Sequence, residues 1–380
     1  MRLFLVSFFA FMLACCSISC SKNTVQKVDA ENPAMQIQST PPLPVIVVSL
    51  DSTKYFFEGT LGLNSRGEKS LINAEMSFNR TEITGTYRYN TGSRALSLKG
   101  VIQPDNTLQL VERDDLGRGG WEKDSNSTVS GRLIGKLDKA KGVITGTWTS
   151  KDGKKSFPFS LRATATFKVL HHSTMDVTVD YPVFSAPELS ALNDTVARLA
   201  KKDYETSVAS VDTIRKEYLA MEEMKERAQF ISEHSFANVV YAAPNLVSLQ
   251  WSLDSYGGGA HGNYGCSGIT WRIENGIPKH ITLADLFQPN SLYKKFISDF
   301  LIANLRKQEA SMVVDGSVKG FVEDLSKNML PFTVHSSGLT FYFSPYYVAS
   351  YAEGAFEVHI PWKALQSLLR ADGIVAGFAK

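Results

Sequence analysis

The amino-acid sequence predicts two domains: an all-β up-and-down barrel of about eight strands, then an α+β domain in which an antiparallel sheet is packed by helices. From residue 51 to 165 short alternating segments are punctuated by Gly, Asn or Asp roughly every ten residues, the mark of an antiparallel meander. Beyond Phe167 the apolar spacing changes from that of a strand to that of a helix. With 380 residues the chain is long enough for two or three domains, and 43% apolar with 21% charged residues is ordinary globular composition.

The N-terminus reads as an export signal. Met1 and Arg2 precede an almost wholly apolar run from Leu3 to Ile18, a short positive region followed by a hydrophobic one of secretory length. That run falls short of the about 20 apolar residues of a membrane-spanning helix, and it ends among small residues and Cys15, Cys16 and Cys20. Ser19-Cys20 fits a lipoprotein cleavage site best, because the polar residues Ser21, Lys22 and Asn23 follow at once. Cleavage before Cys15 or Cys16 would leave apolar Ile18 beside the anchor. Residues 1–19 are therefore expected to be a lipoprotein signal peptide, and Cys20 the lipidated (palmitate-bearing) residue. Residues 20–50, ending in the Pro-rich run Thr40-Pro41-Pro42-Leu43-Pro44, are expected to be a flexible tether. The expected location is the cell envelope, lipid-anchored in the outer membrane and facing the periplasm or the surface. With Cys20 acylated, Cys266 is the only cysteine left in the mature protein, so no intrachain disulfide is possible.

Candidate barrel strands, within residues 51–165, are Tyr55 to Leu61, Leu71 to Phe78, Glu82 to Tyr89, Ala95 to Ile102, Thr107 to Glu112, Thr128 to Gly135, Gly142 to Thr149 and Ser156 to Thr164. Ile83-Thr84-Gly85-Thr86-Tyr87 is nearly repeated by Ile144-Thr145-Gly146-Thr147-Trp148. A glycine inside each strand suits the tight bends of a small closed barrel, and these strands look like those of streptavidin- and lipocalin-type barrels in architecture only. Tyr87, Tyr89, Trp121 and Trp148 either fill the barrel core or line a ligand mouth.

In the second domain, residues 166–380, Leu189, Leu192, Val196 and Leu199 lie at helical spacing, and a second helical stretch is expected from about Val208 to Phe230. Val247, Leu249, Trp251 and Leu253 alternate with polar residues as a half-buried strand, and a Gly-rich loop leads to a second strand from Ser267 to Ile273. Helices are expected at Ser291 to Lys307 and Val318 to Met329. Strands follow at Phe332 to His335, Leu339 to Phe343 and Phe356 to Ile360, then a helix opening at Pro361 and Trp362.

Forty basic residues against 38 acidic give a net charge of +2 without a dense basic stripe, so nucleic acid is not an expected partner. Several segments then occur in a recognisable order: Tyr181-Pro182, the loop from Gly257 to Asn263, Thr282 to Phe287, Ser344 to Gly354 and Ile360-Pro361-Trp362. Together they resemble the extracellular domain of RsiV-type anti-sigma factors, which sense lysozyme, and the non-catalytic region of PdaC-type peptidoglycan deacetylases. The resemblance implies an envelope domain of peptidoglycan biology whose partners are a lysozyme-like protein or peptidoglycan. It also departs from both families: neither a sigma-binding segment with its membrane helix nor the deacetylase's catalytic domain is expected from these residues.

Two stretches hold the candidate binding residues. In the Gly257 to Asn263 loop the glycines permit backbone N–H groups to turn outward, and Tyr256, Gly258, Gly259, His261 and Asn263 form either a recognition loop or a long structural hairpin. In the second stretch Tyr346, Tyr351 and Glu353 suit sugar stacking and protein interfaces, or a buried packing role. The two stretches are expected to form one rim on the same sheet. No cofactor, metal or catalytic set is expected; the alternative, a glycan-directed hydrolase or deacetylase, would need Asp254, His261 and Glu353 to converge. Cys266 is expected to be a small buried hydrophobe, and Lys151 to Lys155 a solvated turn.

Overall fold

The computed structural model describes residues 45–51, 53–63, 69–89, 95–114 and 129–379; the expected signal peptide, Cys15, Cys16, Cys20 and Trp121 lie outside these residues. Eight strands make the N-terminal barrel: β1 (Thr53–Leu63), β2 (Lys69–Asn79), β3 (Glu82–Tyr89), β4 (Ala95–Ile102), β5 (Thr107–Arg113), β6 (Val129–Asp138), β7 (Val143–Ser150) and β8 (Ser156–His171). Each pairs antiparallel with the next, and β1 returns to pair with β8 from Tyr55↔Thr166 to Leu61↔Phe159, which closes the barrel. The period-two pattern is the cause: in β2 Ile72, Ala74, Met76 and Phe78 are buried while the residues between them are not. These side chains and their counterparts on the other strands fill the interior with one apolar core.

The repeated glycines sit where the strands pass closest. A Cβ on Gly146 would lie 2.2 Å from the Ile134 carbonyl oxygen, and one on Gly85 2.2 Å from that of Glu75. Residues 45–50, assigned to the tether by their place after the Pro-rich run, instead pack on the barrel. The Val48 N–H donates to the Lys139 carbonyl at 3.0 Å, and Val48 is buried in the barrel core with Ile46 and Leu50 against it. Their burial alternates, with Ile46, Val48 and Leu50 turned to the core and Val45 and Val47 exposed, as in a strand and not a linker.

β8 does not stop at the barrel. Its last residues, Ala165 to His171, pair with β9 (Asp176–Phe184), so the expected boundary at residue 165 falls inside one continuous strand. A 30-residue helix, α1 (Ser190–Leu219), then crosses to β10 (Ser232–Ala243), which runs parallel to β9 from Ser232↔Asp176 to Phe236↔Asp180. A parallel neighbour needs such a crossover. β11 (Leu246–Tyr256), β12 (Asn263–Glu274) and β13 (Ile277–His280) extend the sheet antiparallel. The two helical stretches expected here are one helix because Ala200 and Ser207 continue the buried stripe of Leu192, Val196 and Val211; residues Glu222–Phe230 form a 3₁₀ helix instead.

Short helices α2 (Leu283–Leu286), α3 (Tyr293–Lys307), α4 (Ser311–Val314), α5 (Val322–Ser326) and α6 (Trp362–Leu365) surround a small second sheet of β14 (Phe332–Val334), β15 (Gly338–Phe343) and β16 (Phe356–Pro361). The helix expected from Val318 to Met329 is only the five residues of α5. The small sheet packs on the large one where Gly268 of β12 leaves room: a Cβ there would lie 1.8 Å from the Phe332 carbonyl oxygen. Beside this contact the Val334 N–H donates to Ser248 Oγ at 2.9 Å. On the other face of the large sheet α1 buries Leu192, Val196 and Ala200 against Val179, Ala237 and Leu249. Phe56, which points outward from β1, belongs to that same core.

Candidate functional site

The two candidate stretches meet, although they lie on different sheets rather than one. The Gly-rich loop joins β11 to β12 of the large sheet, whereas the Tyr-rich stretch follows β15 of the small one. Packing of the two sheets brings the loops together. The His261 ring stacks on Tyr351 with centroids 3.9 Å apart, and Tyr264 and Tyr346 stand 5.9 and 5.8 Å from the same ring. Tyr346 is 60% exposed and holds a left-handed backbone, φ 69°, costly for a side chain of this size. The turn fixes it there: Tyr346 N–H donates to the Ala349 carbonyl and Tyr347 N–H to that of Ser344.

Inside the loop the residues divide by role. Tyr218 of α1 donates from its hydroxyl to the Gly257 carbonyl at 2.8 Å, and Arg227 reaches the Gly258 carbonyl at 3.3 Å. Gly258 is buried at φ 80°, and a Cβ on it would strike the Tyr218 ring at 2.3 Å. The Tyr256 hydroxyl bonds the Gly259 carbonyl at 2.9 Å. Tyr256 and Gly258 therefore anchor the loop, while Gly259, His261 and Asn263 are exposed at its tip.

Glu353 is exposed but committed. It accepts hydrogen bonds from the side chains and backbone N–H groups of Ser311 and Ser350, at 2.6 to 3.1 Å. The Ser311 hydroxyl, with the bonds from Ser350, holds its carboxyl down at about 2, so it is an anion that ties two turns. His261 Nδ1 lies 2.7 Å from the Gly262 carbonyl, which fixes that nitrogen as the protonated one. Asp254 sits across the strand from His234; burial raises its carboxyl, against a smaller pull from His234. No hydrogen bond joins any two of Asp254, His261 and Glu353.

Two features escaped the sequence. Within the barrel, buried Glu112 accepts from the Tyr87 hydroxyl and, at 2.6 Å, from Trp148 Nε1. Tyr87 is itself in the core, and Trp148 and Tyr89 pack against it, so these aromatics help fill the barrel. At the junction of the halves, Lys54 Nζ lies 2.9 Å from Glu75 and 3.5 Å from Asp180, and 4.1 Å from the centre of the Phe167 ring. Glu75 also accepts from the Val239 N–H at 2.5 Å, where β10 has run past the end of its pairing with β9. Burial, which opposes the Lys54 charge, is outweighed by Glu75 and Asp180, and the ammonium is raised. These residues are far apart in sequence, and singly each looks like a solvated strand position.

Cys266 is half-buried, and burial, with the Glu357 charge, pushes its thiol up to about 12, which leaves it inert. Among the described residues no group of three or more His, Cys, Asp or Glu is placed to hold a metal ion, and no helix is long and apolar enough to cross a membrane.

Comparison with known proteins bears on the C-terminal half. No curated protein matches the chain. A structure of a DUF3298 family member from Bacteroides fragilis is 20% identical over 56% of this chain and 97% of that one, with a TM-score of 0.37. A second, from Pseudomonas aeruginosa, is 19% identical over 54% and 92%, with a TM-score of 0.32. Residues 170–264 match the family described as deacetylase PdaC, and residues 284–363 match the family described as a protein of unknown function, DUF3298. The C-terminal half of this chain is thus similar to these two families in tandem, with the Gly-rich loop inside the first match and the Tyr-rich stretch inside the second.

Proposed function

We propose that the protein is a cell-envelope lipoprotein whose C-terminal half is a non-catalytic binding module for peptidoglycan, for a lysozyme-like hydrolase or for another envelope protein. The observation that carries this reading is the aromatic rim. Tyr346, Tyr351, Tyr264 and His261 come from two sheets and assemble into one stacked patch, with Tyr346 held outward by an unfavourable backbone conformation. Strain kept at an exposed aromatic is what a recognition surface shows, and rigid rings with polar tips suit both sugar faces and protein partners. The similarity to the PdaC family supports a reading in peptidoglycan biology, and the RsiV-type resemblance of the sequence suggests lysozyme as the protein partner to test first. The acid-base alternative loses support because Glu353 is spent on Ser311 and Ser350.

Titration calorimetry of the protein with lysozyme and with soluble peptidoglycan fragments tests the module. Truncation of a central aromatic anchor costs about 2 kcal/mol, so Tyr351→Ala or His261→Ala is expected to weaken binding about thirtyfold while the melting temperature moves by only a few degrees. Absence of binding by the wild type to either ligand rejects the proposed partners. In the same preparation Cys20→Ala, which removes the proposed acyl acceptor, should shift the protein from the membrane to the soluble fraction.

A further inference from the structure

Away from the rim, the seam between the barrel and the large sheet is open. Two concavities, of about 490 and 400 Å³, run along it and share Lys54, Ser77 and Asp180. Volumes of this size are those of small-molecule sites, and the lining mixes hydroxyl, amide and charged side chains with apolar surface. Thr84 and Thr86 come from the outward face of β3, Ser77 from β2, Thr178 from β9 and Asn238 from β10. Phe236 lies among them, half-buried and on the same face of β10 as Asn238.

The charge is arranged to favour uncharged, hydroxyl-rich ligands over anions. Lys54 is the cation of the seam, and it is already flanked by the carboxylates of Glu75 and Asp180, so a phosphate or carboxylate would meet a surplus of negative charge. Asp180 remains short of partners. Its Oδ2 faces Lys54, but its buried Oδ1 has no hydrogen-bond partner among the described residues. A buried acceptor left unmade is costly. Burial raises the Asp180 carboxyl, and Glu75 adds to the rise, by more than Lys54 lowers it. Oδ1 is itself closed to solvent, so a ligand hydroxyl meets Asp180 at the exposed part of its side chain, which is 22% accessible. Thr178 Oγ1, bonded to His234 Nδ1 at 2.9 Å, is pre-oriented beside it.

We propose that this seam is a carbohydrate-binding groove, in which Asp180 accepts from a sugar hydroxyl, the hydroxyls of Thr84, Thr86 and Ser77 line the opposite wall and Phe236 lies against an apolar sugar face. The site is distinct from the aromatic rim and combines residues of both halves, so it exists only where barrel and sheet are joined. Two concavities that share lining residues along one open trough fit a linear chain of sugars better than a single ring.

The probe is an uncharged tetramer of β-1,4-linked N-acetylglucosamine, titrated into the full chain and followed by calorimetry. Saturable binding is expected. Asp180→Asn should weaken it about tenfold, the scale of one hydrogen bond to a charged group. Because Asp180→Asn also disturbs the Lys54 ion pairs, the double variant Thr84→Val, Thr86→Val provides the second arm. Those positions lie on the outer face of β3, so the melting temperature should hold while affinity falls by a similar factor. Ile134→Ser, at an exposed position on the outer face of β6, should leave the tetramer's affinity unchanged. Failure of the wild type to bind at millimolar tetramer, or unchanged affinity in the double variant, overturns the groove. Tetramer binding that is lost in Tyr351→Ala and kept in the double variant places the sugar on the rim, which overturns this inference and supports the rim reading.

Discussion

Glu58 shows how one outward-facing residue records the union of the two halves. It sits on β1 between Phe56, which is buried in the core under α1, and Thr60, and its charge is felt by Tyr241 of β10. Burial pushes its carboxyl up to about 7. The sign follows from proton counts. Below the ordinary glutamate range both folded and unfolded chains hold the proton; between about 4.5 and 7 the unfolded chain has released it while the folded one keeps it. Stability contributed by this group is therefore lost as pH rises through that window and is constant above it. Thermal melts should show Glu58→Gln gaining on the wild type at pH 8 but not at pH 4; an equal gain at both would mean that the carboxyl is not held protonated. Nothing in the local sequence marks Glu58, because the neighbours that act on it, Thr164 of β8 and Tyr241 of β10, come from far along the chain. The same holds for Lys54, Glu75 and Asp180. His261 and Tyr351, by contrast, were legible as candidates from their loops, though not as a stacked pair, since stacking depends on how two sheets pack.

Among the elements, the barrel strands were the most legible, for a physical reason. A half-buried strand writes its environment into alternate residues, and β3 and β4 have the ends that alternation gives. β10 was missed because its buried face includes Ser235 and Ala237, small residues that hardly disturb a hydropathy pattern, and because its parallel pairing with β9 leaves no hairpin turn to find; β9, whose Val177, Val179 and Tyr181 are buried in alternation, carried a strand signal that the change of period around residue 166 obscured. The long helix was divided for a like reason at Ala200 and Ser207. Small residues matter equally where the two sheets meet, at Gly268. Gly268→Ala places a methyl group on the Phe332 carbonyl and must push β14 away from β12. A loss of about 2 kcal/mol is expected from such overpacking, read by urea unfolding, and it should loosen the aromatic rim because the Tyr-rich stretch rides on the displaced sheet. Unchanged stability would show that β14 yields freely.

For the molecule as a whole, β8 is the element that both halves need. It closes the barrel against β1 along one part and starts the large sheet against β9 along the next. The sequence showed a change of period near residue 166 but could not show that one strand carries both periods' partners. A fragment ending at His171 retains all eight barrel strands, so a β-rich spectrum is expected of it. It also leaves Phe56 and Phe167 uncovered and the Ala165 to His171 ribbon without β9, an open edge of the kind that recruits other chains. Self-association of this fragment, absent from the full chain, is the expected result in sedimentation; a monomeric fragment as stable as the whole would show that the seam adds nothing. Barrel closure has a further consequence, for time rather than stability. Glu58 faces Arg162 across the closing pair, so about a hundred residues must be made before β1 finds its last neighbour. Contacts of such span are slow to form, and until β8 emerges the apolar faces of β1 to β3 stand open. The fold thus sets a period during synthesis in which these apolar faces wait for their last partner strand.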